Sequence, residues 1–242
     1  MADFLELALN LLFPIDESCM FCRKRRPNLK HCLCSSCVSA LDADFYSCKY
    51  CGVWLKDRSF GLCDDCAGGT KAMDGFVKSY LLDDTAKRAI YRYKNGRKRE
   101  LSYCLASIIE ERVRAALNPR GIDLIVPVPT SKKKLRQRGF DHIADIAEKL
   151  SASLQIPYEP LLGRSHEGRE QKALDKLRRL ENMKGAFYLK KYTPSSINIL
   201  LVDDILTTGA TMESCAKVLH QLDCNIYGVC AFHAPAQDIS NL

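Results

Sequence analysis

The chain has 242 residues, 47% of them hydrophobic, and its 36 basic and 29 acidic residues give a formal net charge of +7. This length accommodates one good-sized domain and a small appendage. The sequence has no apolar run of about 20 residues, which argues against a membrane span. A charge this mild does not by itself indicate nucleic-acid binding, so the distribution of the basic residues has to decide that question.

Residues 1–17 contain an apolar segment that resembles a signal peptide at first sight. Asp3 and Glu6 interrupt it, and it has neither a basic start nor a small-residue cleavage site. We therefore expect a retained amphipathic helix in a cytoplasmic protein, packed on the rest of the molecule or, alternatively, facing a partner. Its apolar face comprises Phe4, Leu5, Ala8, Leu11 and Leu12.

Cysteine spacing in residues 18–69 predicts a zinc-binding domain. The pattern CxxC, eleven residues, CxxC occurs twice in succession. Two CxxC turns supply the four thiolates of a tetrahedral zinc site, and such a closed site is structural because it leaves no position for a substrate. Since each half holds a whole pattern, we expect two sequential zinc ribbons with one or two ions. The predicted ligands are Cys19, Cys22, Cys34, Cys37, Cys48, Cys51, Cys63 and Cys66.

The remaining cysteines do not fit this pattern. His31 and Cys32 lie beside the first unit and are alternative ligands. The other four fall on apolar stripes or strands, which indicates small core residues; they are Cys104, Cys215, Cys224 and Cys230.

Residues 70–242 alternate between apolar runs and helical patterns. This order predicts an α/β domain with a parallel sheet of about five strands, helices on both faces and a ligand at the carboxyl edge. We expect strands at 76–82, 122–127, 197–202 and 226–232, and helices at 98–117 and 143–154. A further helix should carry the apolar residues Cys215, Ala216, Leu219 and Leu222.

The segment 199–212 is the most informative part of the sequence. A buried strand leads into two carboxylates, Asp203 and Asp204, then into a loop and a helix. Backbone N–H groups of such a loop, next to the positive end of a helix dipole, bind phosphate, and the carboxylates can accept hydrogen bonds from sugar hydroxyls. The pattern predicts a ribose 5-phosphate pocket; the alternative is an ordinary turn with a threonine-rich N-cap. The loop residues are Thr207, Thr208, Gly209, Ala210 and Thr211.

Two other segments are candidates for contacts with pyrophosphate. After the strand at 122–127 come Pro129, Thr130, Ser131 and Lys132, which suit an anion, although a proline pair also makes a rigid turn. Residues 164–182 are dense in charge. From charge alone they indicate a solvated loop and surface helix, but their position also suits a mobile flap.

Basic residues are concentrated between positions 87 and 99, where no acid occurs and two tyrosines are interleaved. Such a segment can contact phosphates and stack on the bases of a single strand. The alternative is a solvated helix face whose tyrosines cover the core. The candidate DNA-binding residues are Tyr91, Tyr93, Lys94, Arg97, Lys98 and Arg99.

The strand, acidic pair and threonine-glycine loop resemble the signature of type I phosphoribosyltransferases, which bind phosphoribosyl pyrophosphate (PRPP) with Mg²⁺. Over nearly its whole length the chain further resembles the ComF family. The resemblance rests on the paired CxxC repeat, Lys94 and Gly96, the segment 125–142, and the spaced residues Arg164, Gln171, Leu174, Arg179, Asn182 and Phe187. Asp141 is a departure, because family members often carry Asn there.

The resemblance implies a zinc-binding domain joined to a phosphoribosyltransferase-like domain that acts in natural transformation, with single-stranded DNA and competence DNA-translocation proteins as partners. It places the ribose hydroxyls at Asp203 and Asp204. The alternative is an active enzyme that transfers ribose 5-phosphate from PRPP to a nitrogenous acceptor. No catalytic residue is assigned; the candidates are Asp203, Asp204, Arg164, Arg169 and Gln171.

Overall fold

The computed structural model describes residues 18–25, 29–30, 32–42, 44–56, 61–96, 100–165, 186–191 and 196–235. The predicted helix at 1–17 lies outside these ranges. The strands are β1 Tyr46–Ser47, β2 Trp54–Leu55, β3 Gly75–Val77, β4 Tyr80–Leu81, β5 Leu124–Pro127, β6 Leu162–Arg164, β7 Phe187–Leu189, β8 Ile197–Leu206 and β9 Cys224–His233. The helices are α1 Ser35–Leu41, α2 Asp64–Ala67, α3 Asp84–Gly96, α4 Leu101–Ala116, α5 Lys132–Arg138, α6 His142–Leu154 and α7 Ala210–Leu219.

The centre of the fold is a five-stranded parallel sheet with the order β3, β9, β8, β5, in which β4 also pairs with β9. The strands β6 and β7 form a separate antiparallel pair. Both faces of the sheet are covered, as parallel sheets require. Leu200 and Val202 belong to the core that includes α3, α4 and α6, whereas Ile199 and Leu201 pack with α7. The predicted fold class, a parallel sheet flanked by helices, is confirmed.

Three boundaries differ from the prediction. The strand expected at 76–82 is divided into β3 and β4 by Lys78 and Ser79. The basic segment forms a helix of its own, α3, before α4 begins at Leu101. The strand expected to end at 202 continues to Leu206, because β9 offers a backbone partner as far as His233.

Local capping explains how the helices near the carboxyl edge begin. The Ser131 hydroxyl accepts a hydrogen bond from the Lys134 amide at 3.3 Å and caps α5. That helix ends at Gly139, whose φ of +76° suits glycine. The Asp141 carboxylate then caps α6 by accepting from the amides of Ile143 and Ala144, each at 3.2 Å.

Both cysteine-rich units pack directly on the α/β domain. Arg92 on α3 donates to the carbonyls of Met20 and Phe21, at 2.8 and 2.9 Å, which ties the first unit to that helix. In the second unit the Lys49 carbonyl accepts from the Phe76 amide of β3 at 2.7 Å. Gly52 lies against Phe76, whose ring is 2.5 Å from the position of a Cβ, so only glycine fits there. Every helix in the described ranges is too short or too polar to cross a bilayer.

Candidate functional site

Asp203 and Asp204 lie inside the carboxyl half of β8, with Asp203 opposite Cys230 of β9. Successive side chains of a strand point to opposite faces, so the two carboxylates serve different surroundings. Asp204 is 5% exposed and Asp203 is half-buried. The Asp203 carboxylate accepts a hydrogen bond from the Asp204 amide at 2.8 Å, which fixes its orientation.

Asp204 is paired with two cationic or titratable side chains from other elements. The Lys94 ammonium of α3 is 2.5 Å from Asp204 Oδ2, and His142 Nε2 of α6 is 3.4 Å from the same oxygen. Burial alone would raise the pKa of Asp204, but Lys94 and His142 outweigh it and hold that pKa well below its usual range. Asp204 is therefore ionised at neutral pH and forms an ion pair with Lys94.

No cation of the described ranges is in contact with Asp203. Burial, together with the negative charge of Asp204, raises the pKa of Asp203 to about 8. Asp203 lies on the same face of β8 as Leu201, which packs with α7. The two adjacent acids thus share one proton at neutral pH, with the charge on Asp204.

Asp203→Asn is expected to stabilise the ligand-free protein at pH 8. The folded pKa of Asp203 lies above the unfolded value of about 3.9, so the free energy of unfolding falls as pH rises from about 4 to about 8 and levels off above that. Asparagine avoids this loss and retains the oxygen that accepts from the Asp204 amide. A gain of about 1 kcal/mol would raise Tm by about 2–4 °C.

Thermal melts of both proteins between pH 4 and pH 9 measure this effect. The difference in Tm should shrink toward pH 4, where the wild-type carboxyl is protonated in the folded state and about half protonated in the unfolded state. A variant that melts below the wild type at pH 8 would contradict the assignment of the raised pKa.

A group of cations surrounds the acidic pair. The Arg138 guanidinium is 3.0 Å from the ring nitrogens of His142. Loss of water around the Lys134 ammonium and the nearby charges of Lys94, Arg138 and Arg164 lower the pKa of Lys134. Cations gathered around Lys134 in this way create a positive potential, which favours a bound anion. The sequence predicted Arg164 here; Arg169 and Gln171 lie outside the described residues.

Three members of this group were not among the predicted site residues. His142, Lys134 and Arg138 come from α5 and α6, which follow β5 in the chain. The available signal was the run of basic residues directly after a buried strand. The predicted site residues included only Lys132 from that run; Lys132 and Lys134 are both exposed.

The threonine-rich loop lies between β8 and α7. Gly209 adopts a φ of +77° and is the N-cap of α7, so the positive end of this ten-residue helix faces the loop. Thr207, Thr208 and Thr211 remain partly exposed, whereas Gly209 is buried. The position of a Gly209 Cβ is 3.7 Å from the Cys51 carbonyl oxygen, so the second cysteine unit forms one wall of the loop.

The segment 129–132 is more constrained than the sequence indicated. The Thr130 hydroxyl donates to Asp141 Oδ1 at 2.9 Å, and the Ser131 hydroxyl caps α5. Both side chains hold the turn between β5 and α5. Pro129 and Thr130 are partly exposed beside the site, so a ligand would meet this turn chiefly through its backbone.

The structure corrects the proposed DNA-binding set. Tyr93 is 0% exposed, and its hydroxyl donates to the His142 carbonyl at 2.8 Å, so its ring cannot stack on a base. Lys94 faces the acidic pair instead of solvent. Tyr91 is 69% exposed and keeps its predicted role available. Arg97, Lys98 and Arg99 lie outside the described residues.

The eight predicted metal ligands fall into two groups, as the sequential arrangement requires. Within each group the four sulfur atoms lie within 4.8 Å of one another, a spacing that suits four thiolates around one ion. Each group could therefore hold one zinc ion. The groups are Cys19, Cys22, Cys34 and Cys37, and Cys48, Cys51, Cys63 and Cys66.

Backbone N–H groups favour the thiolate form of one cysteine in each group, whereas burial raises the pKa of Cys37, Cys51 and Cys66. Burial acts to raise the pKa of Cys19, but backbone N–H groups, including that of Cys34 at 3.4 Å, lower it to about 7. The pKa of Cys48 is lowered to about 7 in the same way, by the N–H groups near its sulfur. A thiol with a lowered pKa is already partly a thiolate, the form that binds zinc.

The cysteines outside the two groups have other partners. Cys32, an alternative ligand, hydrogen-bonds to the buried Cys104 of α4 and is not part of the first group. His31 lies outside the described residues. Cys104, Cys215 and Cys230 are 0% exposed core residues, as predicted, and the Cys224 thiol donates to the Leu219 carbonyl at 3.3 Å.

No family model matches the chain, but curated proteins align with most of its length. Competence protein F of Haemophilus influenzae is 28% identical over 211 residues, which cover 84% of this chain and 91% of that protein. Competence protein ComFC of Bacillus subtilis is 26% identical over 217 residues, covering 88% of this chain and 81% of that protein. The chain is a homologue of the ComF competence proteins.

A second group of relatives carries a different name. The DNA utilization protein YhgH of Escherichia coli K12 is 26% identical over 191 residues, covering 77% of this chain and 83% of that protein. Among solved structures, adenine phosphoribosyltransferase from Saccharomyces cerevisiae has a TM-score of 0.37 at 16% identity, covering 60% of this chain and 75% of that one. The same enzyme from Leishmania tarentolae has a TM-score of 0.36, also at 16% identity, and covers 62% and 76%.

Proposed function

We propose that this ComF homologue acts in the cytoplasm during natural transformation, where it binds incoming single-stranded DNA and holds PRPP with Mg²⁺ in the pocket around Asp203 and Asp204. One observation carries the ligand assignment. A buried acidic pair, a helix N-terminus with a threonine loop, and a group of cations converge at the carboxyl edge of one parallel sheet. A phosphorylated sugar with a second anionic group offers hydroxyls to the acidic pair, a phosphate to the threonine loop and an anion to the cations.

Each part of the ligand would meet a different element. The loop from Thr207 to Thr211 would hold the 5-phosphate with backbone N–H groups and hydroxyls. Asp203 and Asp204 would accept hydrogen bonds from the ribose hydroxyls. The diphosphate would lie against Lys134, Arg138 and Arg164, whose mutual repulsion a bound anion would relieve.

Lys94 would change its ionic partner when the ligand binds. Its ammonium neutralises Asp204 while the pocket is free. When ribose hydroxyls donate to that carboxylate, Lys94 can turn toward the diphosphate without losing an anionic partner. Mg²⁺ bound with PRPP would supply charge neutralisation between the diphosphate and the acidic pair.

The DNA assignment rests on the relatives and on the surface of the molecule. Relatives are named competence proteins and DNA utilization proteins. On α3, Tyr91 is exposed beside Arg88, which is also exposed, and a tyrosine ring beside a guanidinium suits a nucleotide. Competence DNA-translocation proteins are the partners we expect in the cell.

Titration calorimetry with PRPP and Mg²⁺, followed by an assay for pyrophosphate release, tests the ligand assignment. We expect PRPP to bind more tightly than ribose 5-phosphate or pyrophosphate alone, since only PRPP reaches all three elements. Binding without release supports a ligand-binding role. Steady release with a nitrogenous acceptor would support the alternative, an active phosphoribosyltransferase. Failure of PRPP to bind would refute the proposed pocket.

A further inference from the structure

A groove lies between the second cysteine unit and the edge strand β3, apart from the acidic pair. It encloses 430 Å³. Aromatic rings and lysines dominate its lining, with one acid, Asp44, among them. The residues that matter for its chemistry are Phe45, Tyr46, Lys49, Leu55, Phe76 and Lys78.

The aromatic wall of this groove is held rigidly. The rings of Phe45 and Trp54 are stacked with centroids 4.9 Å apart and an interplanar angle of 7°. Phe45 also contacts the buried ring of His233, with centroids 5.1 Å apart, which anchors it to the end of β9. Tyr46 is 40% exposed at the mouth of the groove. Phe45 itself is 4% exposed, so it supports the wall of the groove, and Tyr46 is the exposed ring that a base can cover.

Lysines lie over the rings in and beside the groove. The Lys78 ammonium is 4.4 Å from the centroid of the Phe45 ring. Two more ammonium groups, of Lys49 and Lys71, lie 5.1 and 4.0 Å from the Tyr50 ring. All three lysines are exposed, so their charges face solvent next to aromatic surfaces.

Among the described residues, an acidic group pairs with only one of these three lysines. Asp44 pairs with Lys78 at 3.3 Å, while Lys49 and Lys71 remain directed at Tyr50. Asp64 and Asp65 belong to the first turn of α2, and Asp74 accepts from the Ile226 amide. Alternating aromatic faces and cations fit a chain of bases and phosphates better than an acidic peptide, which offers nothing to stack on the rings.

We infer that this groove, between the second cysteine unit and β3, binds a short stretch of single-stranded DNA. The inference rests on the proposed DNA role and assigns it a second surface besides the one on α3. Bases would stack on the exposed ring of Tyr46, next to the buried Phe45, and phosphates would contact Lys49, Lys71 and Lys78. The second cysteine unit would therefore bind DNA in addition to its structural role.

Quenching of tryptophan fluorescence by oligodeoxythymidylate tests the inference, since Trp54 is the chain's single tryptophan and stacks on Phe45. Tyr46→Ala with Lys49→Ala should weaken binding about tenfold or more. The slope of log K against log salt should become shallower by about 0.7 for the lost lysine. A second variant, Lys49→Glu with Lys71→Glu, changes only exposed side chains and should lose binding more completely.

Tyr103→Ala with Lys149→Ala is the matched control. Tyr103 is 60% exposed, and Lys149 lies 5.0 Å from its ring centroid, so the control removes a similar pair away from the groove. Zinc content and thermal melts of each variant establish that it is folded. We expect the control to bind as the wild type does.

Three results would contradict the proposal that this groove binds single-stranded DNA. They are equal weakening in the control, unchanged affinity in both groove variants, and displacement of the oligonucleotide by polyglutamate at equal charge concentration. If Tyr91→Ala with Arg88→Ala abolishes binding while the groove variants retain it, the protein binds DNA through α3 and the groove is not a binding site. If the wild type binds no oligonucleotide in either fluorescence or filter assays, the proposed DNA role itself fails.

Discussion

Replacing Asp203 and Asp204 together by asparagine is expected to weaken PRPP binding by about 10²–10⁴-fold. Each hydrogen bond to a charged acceptor contributes about 1.5–3 kcal/mol, and Mg²⁺ bound with PRPP would favour the ionised form of Asp203 as well, so two such bonds account for this range. The double variant also leaves Lys94 without the carboxylate that it contacts at 2.5 Å, which makes the pocket more positive. Ribose 5-phosphate should lose affinity in parallel with PRPP, whereas pyrophosphate should bind as well as before or better.

Calorimetry with the three ligands separates these contributions. Asp223→Asn is a suitable control because Asp223 is exposed at the opposite edge of the same sheet, where it accepts from the Ser196 hydroxyl at 2.9 Å. Asparagine can still accept that bond. If the double variant binds PRPP as tightly as this control does, the acidic pair does not hold the ribose.

Metal removal is expected to have the second large effect. The helices and strands of the cysteine-rich part are short, with α1 of seven residues, α2 of four and β1 and β2 of two each. Elements of this size cannot form a stable core alone, and structural zinc contributes about 10–16 kcal/mol in comparable small domains. We expect two zinc ions per chain and loss of this part's order when they are removed.

Loss of order in the second cysteine unit should also weaken binding in the ligand pocket, because the Cys51 carbonyl forms one wall of the loop at Gly209. Zinc-stripped protein, and the variant Cys63→Ser, should bind PRPP at least tenfold more weakly, whereas Cys34→Ser in the first group should affect PRPP less. Cys224→Ser, outside both groups, is the control. Metal analysis with calorimetry measures both effects. Unchanged PRPP affinity in metal-free protein would contradict the coupling.

Much of the fold could be predicted because its signals are local. The apolar runs of β5, β8 and β9 and the helical periodicity of α4 and α6 depend on near neighbours in the chain. The metal groups follow from CxxC spacing for the same reason. The error at Tyr93 was also local: residues two apart on a helix face nearly opposite directions, so Tyr91 and Tyr93 could not share an exposed face.

The composition of the pocket required the tertiary structure. Lys94, Lys134, His142 and Asp204 are brought together from α3, α5, α6 and β8, and no local pattern shows that their side chains meet. The same holds for the contact between Cys51 and Gly209, and for the stacked aromatic wall between the second cysteine unit and β9.

The sequence by itself determined the class of the fold, the two cysteine groups and the strand that carries the acidic pair, because hydrophobic period and ligand spacing act over a few residues. Only the tertiary structure decided which acid is ionised, which lysine neutralises it and which tyrosine is available to a partner. Those properties depend on burial and on the distance between charges, and both are set by residues far apart in the chain.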